Sequence, residues 1–250
     1  MDELQQKSTA LSQPTQQRRG FEEPIDRRDL IIPLAKLLQA LSPEVIEAPR
    51  QYFPGEIINS LTKEKLTITD DLGGIVPVEF VPIFKFTNWI RFNPRDDDKL
   101  DFNPNFAPGA LIWQSNNPYD SRVQAEGAFG PNGELPLATK FVNFFSLFPS
   151  FQGMPIIVSF SKTSYKTGRQ LLSLCQFGPP DMFGCRYTLG VRQEKNEMGS
   201  YFVLTVSKVG TTEGKILELA SAFWEEFHDR SKEIKVHDQE ESSADDENII

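Results

Sequence analysis

The chain has 250 residues, of which 39% are hydrophobic and 24% are charged, so it can fold around a sizeable core. Two cysteines make no disulfide framework, the first residues contain no signal peptide, and no apolar run is long enough for a membrane span. We therefore expect a soluble protein of a reducing cytoplasm. The net charge of −9 argues against a nucleic-acid partner only if the charge is evenly spread.

Residues 1–29 are polar and rich in glutamine, which predicts a disordered arm before a folded domain at residues 30–231. The domain begins with the stretch DLIIPLAKLLQALSPEV. Its leucines repeat at helical spacing, so we expect a short helix that is capped near Asp29 and ends before Pro43. The residues that carry this spacing are Leu34, Leu37, Leu38 and Leu41.

From about residue 52 the pattern changes to short strands. The stretch GGIVPVEFVPIFKF alternates apolar and polar residues, and its prolines predict an edge strand. NWIRFNP and GALIWQS predict two further strands. Two long loops, RDDDKLDFNPNFAPG and NNPYDSRVQAEGAFGPNGELPLATK, separate these elements, and loops of such length are usually functional or partly disordered.

The clearest elements begin at Pro155. PIIVSF predicts a buried strand, and SKTSYKTGRQLLSLCQF predicts a helix with Thr163 or Ser164 as its N-cap. MFGCRYTLGVRQE and GSYFVLTVSKVG predict two strands joined by a turn. TEGKILELASAFWEEFHDRSKEI has apolar residues at spacings of three and four and predicts a terminal helix. Residues 232–250 predict a disordered acidic tail.

This order of elements is that of an OB-fold, a five-stranded barrel with one helix between its third and fourth strands. We therefore expect a mainly β chain with α additions, arranged as an elaborated OB-like antiparallel barrel with flanking helices. The elements from residue 155 onward match the second half of that plan. The two long loops lie in the first half of the plan.

Groups that catalysis needs are scarce, so we do not expect an enzyme. His228 and His237 are predicted to be solvated surface residues, with nothing nearby that would orient either as a base. Cys175 and Cys185 lack the spacing of a zinc site, and Cys175 fits the inward side of its helix. DDDKLD at residues 96–101 is better explained as a charged loop tip than as a metal site. We expect neither a metal nor a cofactor.

The stretch SKTSYKTGR follows a strand and opens a helix, as a phosphate-binding loop does. It lacks the glycines of GxxxxGK[ST], because Gly168 stands alone and is followed by Arg169, so a nucleotide triphosphatase is not expected. Two interpretations stay open. Lys162, Lys166 and Arg169 either surround a single backbone phosphate at the positive end of the helix or form an ordinary basic helix face.

Basic and aromatic residues are interleaved in residues 140–193, which contain six lysines or arginines, ten phenylalanines or tyrosines and a single acid. Single-stranded nucleic acid is bound by cations that follow the phosphates and by flat rings on which bases stack. The two tryptophans that precede this segment also have arginines near them in sequence. The predicted nucleic-acid-binding residues are Trp89, Arg91, Trp113, Lys162, Lys166, Arg169, Phe183, Arg186, Tyr187 and Arg192.

The stretch FVNFFSLFPSF places five phenylalanines within eleven residues. Three explanations stay open, in this order: part of the core, an oligomer contact, or a platform for base stacking. The oligomer contact supports an alternative function for the chain, that of a structural or assembly protein that forms homo-oligomers through its Phe-rich segment.

The last fourteen residues contain six acids, no lysine or arginine, and two isoleucines. An OB-like barrel followed by a helix and an acidic tail with an apolar tip resembles bacterial and bacteriophage single-stranded-DNA-binding proteins. PIIVSFSKTSYKTGRQLLS also looks like uncharacterised phage replication-region proteins. The terminal residue is isoleucine rather than the phenylalanine of those families. The resemblance implies partner docking through Asp245, Asp246, Glu247, Ile249 and Ile250, whereas the alternative is a merely solubilising tail.

The expected function is therefore non-catalytic binding of single-stranded DNA in phage-type DNA replication or recombination. By the resemblance, the acidic tail screens the protein's own basic groove until DNA displaces it, and then recruits replication or recombination enzymes. A phage-encoded protein of this kind works in the cytoplasm of the bacterial host.

Overall fold

One long strand lies at the centre of the main sheet. The computed structural model describes residues 31–70, 73–151, 154–197 and 199–230, which belong to one compact unit that begins at Ile31. The strands are β1 (Ala35–Leu37), β2 (Ile57–Asn59), β3 (Ile68–Thr69), β4 (Ile75–Val76), β5 (Val78–Phe92), β6 (Leu111–Ser115), β7 (Thr139–Leu147), β8 (Pro155–Phe160), β9 (Cys185–Asn196) and β10 (Gly199–Thr211). The α-helices are α1 (Pro43–Glu47), α2 (Ser121–Glu126), α3 (Tyr165–Gln176) and α4 (Gly214–Phe227).

Strand β5 holds the main sheet together because it pairs with three other strands. Its residues 78–80 pair with β9, residues 81–90 pair with β7, and residues 89–92 pair with β6. Since β6 and β7 pair with the same residues of β5, they lie on opposite edges of it. The order is β10-β9-β5-β7-β8 with β6 beside β5, and every pairing is antiparallel. The chain is therefore mainly β, with a large antiparallel sheet and few helices.

Alternating side chains divide the apolar residues between the two faces of this sheet. On one face, Phe144 and Phe160 belong to the main core together with Leu171 of α3. On the other face, Phe145 belongs to a second core and lies against Phe223 of α4, with ring centroids 6.3 Å apart. Helices α3 and α4 thus cover opposite faces. None of the described helices is both long and apolar enough to cross a membrane.

Helix α3 approaches strand β8 closely at Gly168. A β-carbon at Gly168 would lie 2.6 Å from the β-carbon of Phe160, which no side chain tolerates without a shift of one element. Glycine weakens a helix interior, so this position is explained by the close approach rather than by helix propensity. Leu171 and Cys175 continue the inward side of α3. The outward side therefore carries its basic residues away from the core.

The two outer strands of the sheet, β8 and β10, are both contacted by residues 33–39. Leu34 forms a parallel bridge with Ile157 of β8. The Gln39 side chain donates a hydrogen bond to the Phe202 carbonyl of β10 and accepts one from the Phe202 amide, both at 2.9 Å. Within the described ranges no backbone ladder joins β8 to β10. A closed barrel is not found, and the expected OB-like barrel is not confirmed.

The helix expected before Pro43 is wrong. That segment contains strand β1, which pairs antiparallel with β2, and Leu38 is fully buried whereas Leu41 is 84% exposed. A short apolar run fits helical and extended periods equally well, so its pairing with residues about twenty positions later decides the outcome. Pro43 begins α1 rather than following a helix, in the position where its missing amide hydrogen costs least.

The edge strand expected at GGIVPVEFVPIFKF is also wrong in part. Most of it is continuous with NWIRF in β5, which is the central strand of the sheet. Proline is tolerated there because the register shifts between Pro82 and Phe84, so the missing amide falls at an irregularity of the ladder. The long loop that ends before β7 contains a short helix, α2.

The elements expected from Pro155 onward are confirmed as β8, α3, β9, β10 and α4. GALIWQS is confirmed as β6. The Phe-rich stretch forms most of β7, where Phe144, Phe145 and Phe148 are fully buried, so the first of its three explanations, a part of the core, is confirmed.

We expect Gln39→Ala to lower the free energy of unfolding by about 1–3 kcal/mol, because the amide and the carbonyl of Phe202 both lose a partner. Urea denaturation followed by tryptophan fluorescence measures this loss. Gln170→Ala, on the exposed side of α3, is the matched control and should change stability by less than about 0.5 kcal/mol. An equal effect of the two substitutions would contradict the structural role of Gln39.

Candidate nucleic-acid interface

A lysine lies between two aromatic rings where β5, β7 and the start of α3 meet. Lys140 of β7 is directly opposite Trp89 of β5, and its Nζ lies 5.5 Å from the centre of the Trp89 ring. The same Nζ lies 5.9 Å from the ring of Tyr165, the first residue of α3. A cation at these distances from two rings is held by their negative faces.

Lys85 adds a second cation on the same face of β5. Lys85, Thr87 and Trp89 alternate along the strand, so their side chains share the side on which Lys140 lies. Partial burial and the positive charge of Lys140 lower the pKa of Lys85 below its ordinary value. We call Lys85, Trp89, Lys140 and Tyr165 the basic–aromatic cluster.

The basic–aromatic cluster has no acidic counterpart in the part of the chain that the structure describes. Both lysines are exposed, and no carboxylate of the described residues forms an ion pair with either. Partial burial of the Lys85 side chain is the first cause of its lowered pKa, and the like charge of Lys140 adds to it. The cluster therefore presents positive charge, without an ion pair to any described acid, beside rings that are half buried.

Helix α3 extends this positive surface. Lys166 and Arg169 lie on its exposed side, and Lys162 is exposed in the short turn of helix that precedes it. None of the three forms an ion pair with another described residue. Tyr165 connects this stripe to the basic–aromatic cluster. The exposure of Lys162, Lys166 and Arg169 is compatible with both interpretations of this helix start, and its binding of a phosphate stays a prediction.

Phe183 and Tyr187 are not available for stacking. Phe183 is 8% exposed and packs in the second core, and Tyr187 is fully buried in the main core, where its ring centroid lies 6.1 Å from that of Phe80. Burial raises the pKa of Tyr187, and it raises the pKa of Cys175 to about 11. Tyr187 lies on the buried side of β9, whereas Phe183 precedes the strand in a short turn of helix.

Arg91 and Trp113 are structural as well. Arg91 is 7% exposed, donates to the Asp101 carboxylate at 3.0 Å and to the carbonyl of Leu137 at 3.2 Å, and lies 3.6 Å from the Glu126 carboxylate. Trp113 is 8% exposed and donates its Nε1 hydrogen to Glu126 at 3.1 Å. These contacts hold the insertion at residues 93–138 on the end of β5. Predicting nucleic-acid contacts for the two residues was wrong, because each is enclosed by this insertion.

The two remaining arginines of the predicted set are paired with acids. Arg186 contacts the Glu79 carboxylate at 2.8 Å and donates to the carbonyl of Thr211 at 3.2 Å. Arg192 pairs with Glu194 on the exposed part of β9. The hydrogen bond from Arg192 is the first of the causes that lower the pKa of Glu194. An exposed pair of this kind contributes little to stability, so Arg192 can exchange its carboxylate for another anion.

Sequence reasoning missed three of the four residues of the basic–aromatic cluster. Of the four, only Trp89 was among the predicted nucleic-acid-binding residues. Lys85 and Trp89 are separated by four positions of an alternating strand, so their shared face was readable from the sequence. The positions of Lys140 and Tyr165 beside them depend on the register of β5 with β7 and on the start of α3, which no local pattern reveals.

Among the described residues, one group of acids is close enough together to share a metal ion. Oxygen atoms of Asp96, Asp97 and Asp98 lie within 4.8 Å of one another, but all three side chains are exposed on a turn, which fits the expected charged loop tip. His228 stacks on Trp224, with ring centroids 4.0 Å apart, in the last turn of α4. His237 and the predicted docking residues Asp245, Asp246, Glu247, Ile249 and Ile250 lie outside the described residues.

Comparison with known protein families gives one match. The sequence model of the family described as Pam3 phage gp34-like protein matches residues 3–233, which is most of the chain. No curated protein and no solved structure matches significantly.

We expect Arg91→Met to loosen the insertion at residues 93–138 and to lower the free energy of unfolding by about 2 kcal/mol. The loss should be smaller than the 3–5 kcal/mol of a fully buried pair, because Asp101 and Glu126 are each about one third exposed. Hydrogen exchange with mass spectrometry should show faster exchange there. Arg95→Met, at an exposed position, is the control, and equal exchange in both variants would rule out the role of Arg91.

Proposed function

The chain belongs to the Pam3 phage gp34-like protein family, and from this premise we propose that it is a non-catalytic phage protein that binds single-stranded DNA. The basic–aromatic cluster is the observation that carries the proposal. Trp89 and Tyr165 are half buried and flank Lys140, so the accessible part of each ring lies beside a cation that forms no ion pair with a described residue. Stacking of a base on such a ring is worth about 1–3 kcal/mol.

The order of strands supports an OB-like architecture for this function. With β6 set aside, the strands β5, β7, β8, β9 and β10 form a series of five along the chain, with α3 between the third and the fourth. Their order in space is fifth, fourth, first, second and third. OB domains are partly open Greek-key barrels that bind oligonucleotides. In this proposal the contacts of Leu34 and Gln39 bridge the opening between the third and fifth strands.

The positive surface gives the bound strand a path. From the basic–aromatic cluster it leads past Lys162 and along the exposed stripe of Lys166 and Arg169. Arg192 lies on strand β9 and pairs with Glu194. The positive charge of Lys166 is among the causes that lower the pKa of Glu194, so Lys166 lies near this pair. Contacts to phosphates along such a path release counterions, so affinity should fall with salt. A strand bound in this way is recognised with little dependence on its sequence.

The net charge of −9 is compatible with this proposal because the charge is segregated. Six of the 35 acids lie in residues 237–250, which contain no lysine or arginine. In the proposal this segment lies on the basic surface until DNA displaces it. It then binds replication or recombination enzymes, with its carboxylates on a basic pocket and Ile249 and Ile250 in an apolar one. The bacterial host cytoplasm is the compartment in which such a protein works.

The Phe-rich segment no longer supports the alternative function of an assembly protein. The Phe-rich segment that was to form the oligomer interface is largely strand β7, and its phenylalanines at positions 144, 145 and 148 are fully buried within one copy of the chain. They cannot also make an interface between copies without unfolding the core.

We expect full-length protein to bind a labelled single strand of about 30 nucleotides in preference to its duplex, since one OB domain covers about 4–16 nucleotides. Fluorescence anisotropy at two salt concentrations measures both the preference and its salt dependence. Trp89→Ala should weaken binding about tenfold or more, because the stacking surface is lost. A chain that ends at Val236 should bind more tightly than the full chain.

Phe177→Ala is the matched control, because Phe177 is an exposed aromatic residue at the far end of α3, about 18 Å from Tyr165. It should bind like the unchanged protein. Absence of binding by both the full and the shortened chain, or equal weakening by the two aromatic substitutions, would rule out the proposed interface. The same titration with RNA of equal length decides which nucleic acid is preferred.

A further inference from the structure

The face of β5 that carries the basic–aromatic cluster has a hydroxyl group between its two lysines. Thr87 lies midway between Lys85 and Trp89 on the strand and is directly opposite Val142, two residues from Lys140. Its hydroxyl forms no hydrogen bond with any described residue, and the side chain is half buried. The side chains of Lys85, Thr87 and Lys140, which carry two ammonium groups and one hydroxyl, therefore share one face of the sheet.

The two lysines reach this region from opposite ends. Lys85 is two residues before Thr87, and Lys140 stands opposite Trp89, two residues after it. Two residues of a strand span roughly 7 Å, so both long side chains can lean toward the threonine. That their charges interact is evident from the effect of Lys140 on the pKa of Lys85. No described acid forms an ion pair with either lysine, so an anion that binds between them would relieve this repulsion.

We propose that Lys85, Thr87 and Lys140 form a seat for one phosphate group of the bound strand, shared by both lysines, with the neighbouring base on Trp89. The inference rests on the proposed function and deepens it. A phosphate has enough oxygens to accept from two ammonium groups and a hydroxyl at once, and lysine and threonine are regular phosphate ligands in nucleic-acid complexes. The ring of Trp89 adjoins the seat, so the cluster takes a nucleotide unit rather than a bare anion.

A shared phosphate has a measurable signature in salt dependence. For single strands, the slope of log affinity against log salt changes by about 0.7 for each phosphate contact. We expect the slope to fall by about 0.7 in each of three variants, namely Lys85→Met, Lys140→Met and the double variant. The double variant should bind no more than about threefold weaker than either single variant. Two separate phosphates would instead change the slope by about 1.4 in the double variant, which would overturn the shared seat.

Lys208→Met is the matched control, because Lys208 is an exposed lysine of strand β10 that forms no ion pair with the described residues. Lys208→Met should leave the affinity for the single strand unchanged. Thr87→Val keeps the shape of the side chain and removes only the hydroxyl, so it should weaken binding by about tenfold if the hydroxyl contacts the phosphate. Equal affinities of the Lys85, Lys140 and Lys208 variants would refute the seat while leaving DNA binding intact.

Lysine acetylation by a chemical reagent, followed by mass spectrometry of the full-length protein, tests the seat without a long strand. Thymidine monophosphate should slow acetylation of Lys85 and Lys140 but not of Lys208, and uncharged thymidine should protect none of them. Protection without binding of the long strand would overturn the proposed function and keep the seat. Strand binding with no protection by the monophosphate would overturn the seat alone.

Discussion

The fold depends on the length of β5, because one strand has to supply three sets of backbone partners. Its first residues pair with β9, its middle and end pair with β7, and its last four pair with β6 on the other edge. A shorter strand would separate the β9–β10 hairpin from the insertion at residues 93–138. The same strand also carries Lys85, Thr87 and Trp89. The pairing of β5 with β7 therefore positions the candidate interface as well as the sheet.

The ion pairs of the described residues divide the cations into two groups with different physical roles. Arg91 is nearly fully buried and contacts two carboxylates, and Arg186 contacts Glu79, so their charges are used within the fold. Lys85 and Lys140 lie close enough to repel each other, and neither forms an ion pair with an acid of the described residues. No ion pair within the described fold uses their charge. This contrast, rather than the number of basic residues, is the argument that they serve an external anion.

Local patterns predicted part of this structure, and the parts that failed depend on distant contacts. Helix α3 and the β9–β10 hairpin were predicted because periodicity and turn residues specify them within their own segments. The first segment was predicted as a helix because its pairing with β2 is invisible in its own residues. In the candidate site, Trp89 was identified from composition. Tyr187 was included because alternation does not tell which side of a strand is buried, and Phe183 was included because its position in a short turn of helix before β9 was not recognised. Placing Lys140 and Tyr165 in the site required the register of β5 with β7 and the position at which α3 begins.

Helix α4 determines which surface of the main sheet remains open. OB domains use the face of their second and third strands for ligands, and in the proposed OB-like architecture β7 and β8 take these places. Their side chains on the face opposite the main core include Phe145 and Ile157, which are fully buried in the second core that α4 covers. The ring of Phe145 lies 5.3 Å from that of Phe227, so a base would have to displace the helix to reach it. The basic–aromatic cluster lies instead on the face of β5 and β7 that carries the main core, where Lys85 and Lys140 are exposed and Trp89 is half buried. A strand that binds there does not have to displace α4, so Trp89, unlike the buried phenylalanines of β7, keeps ring surface that stacking can use.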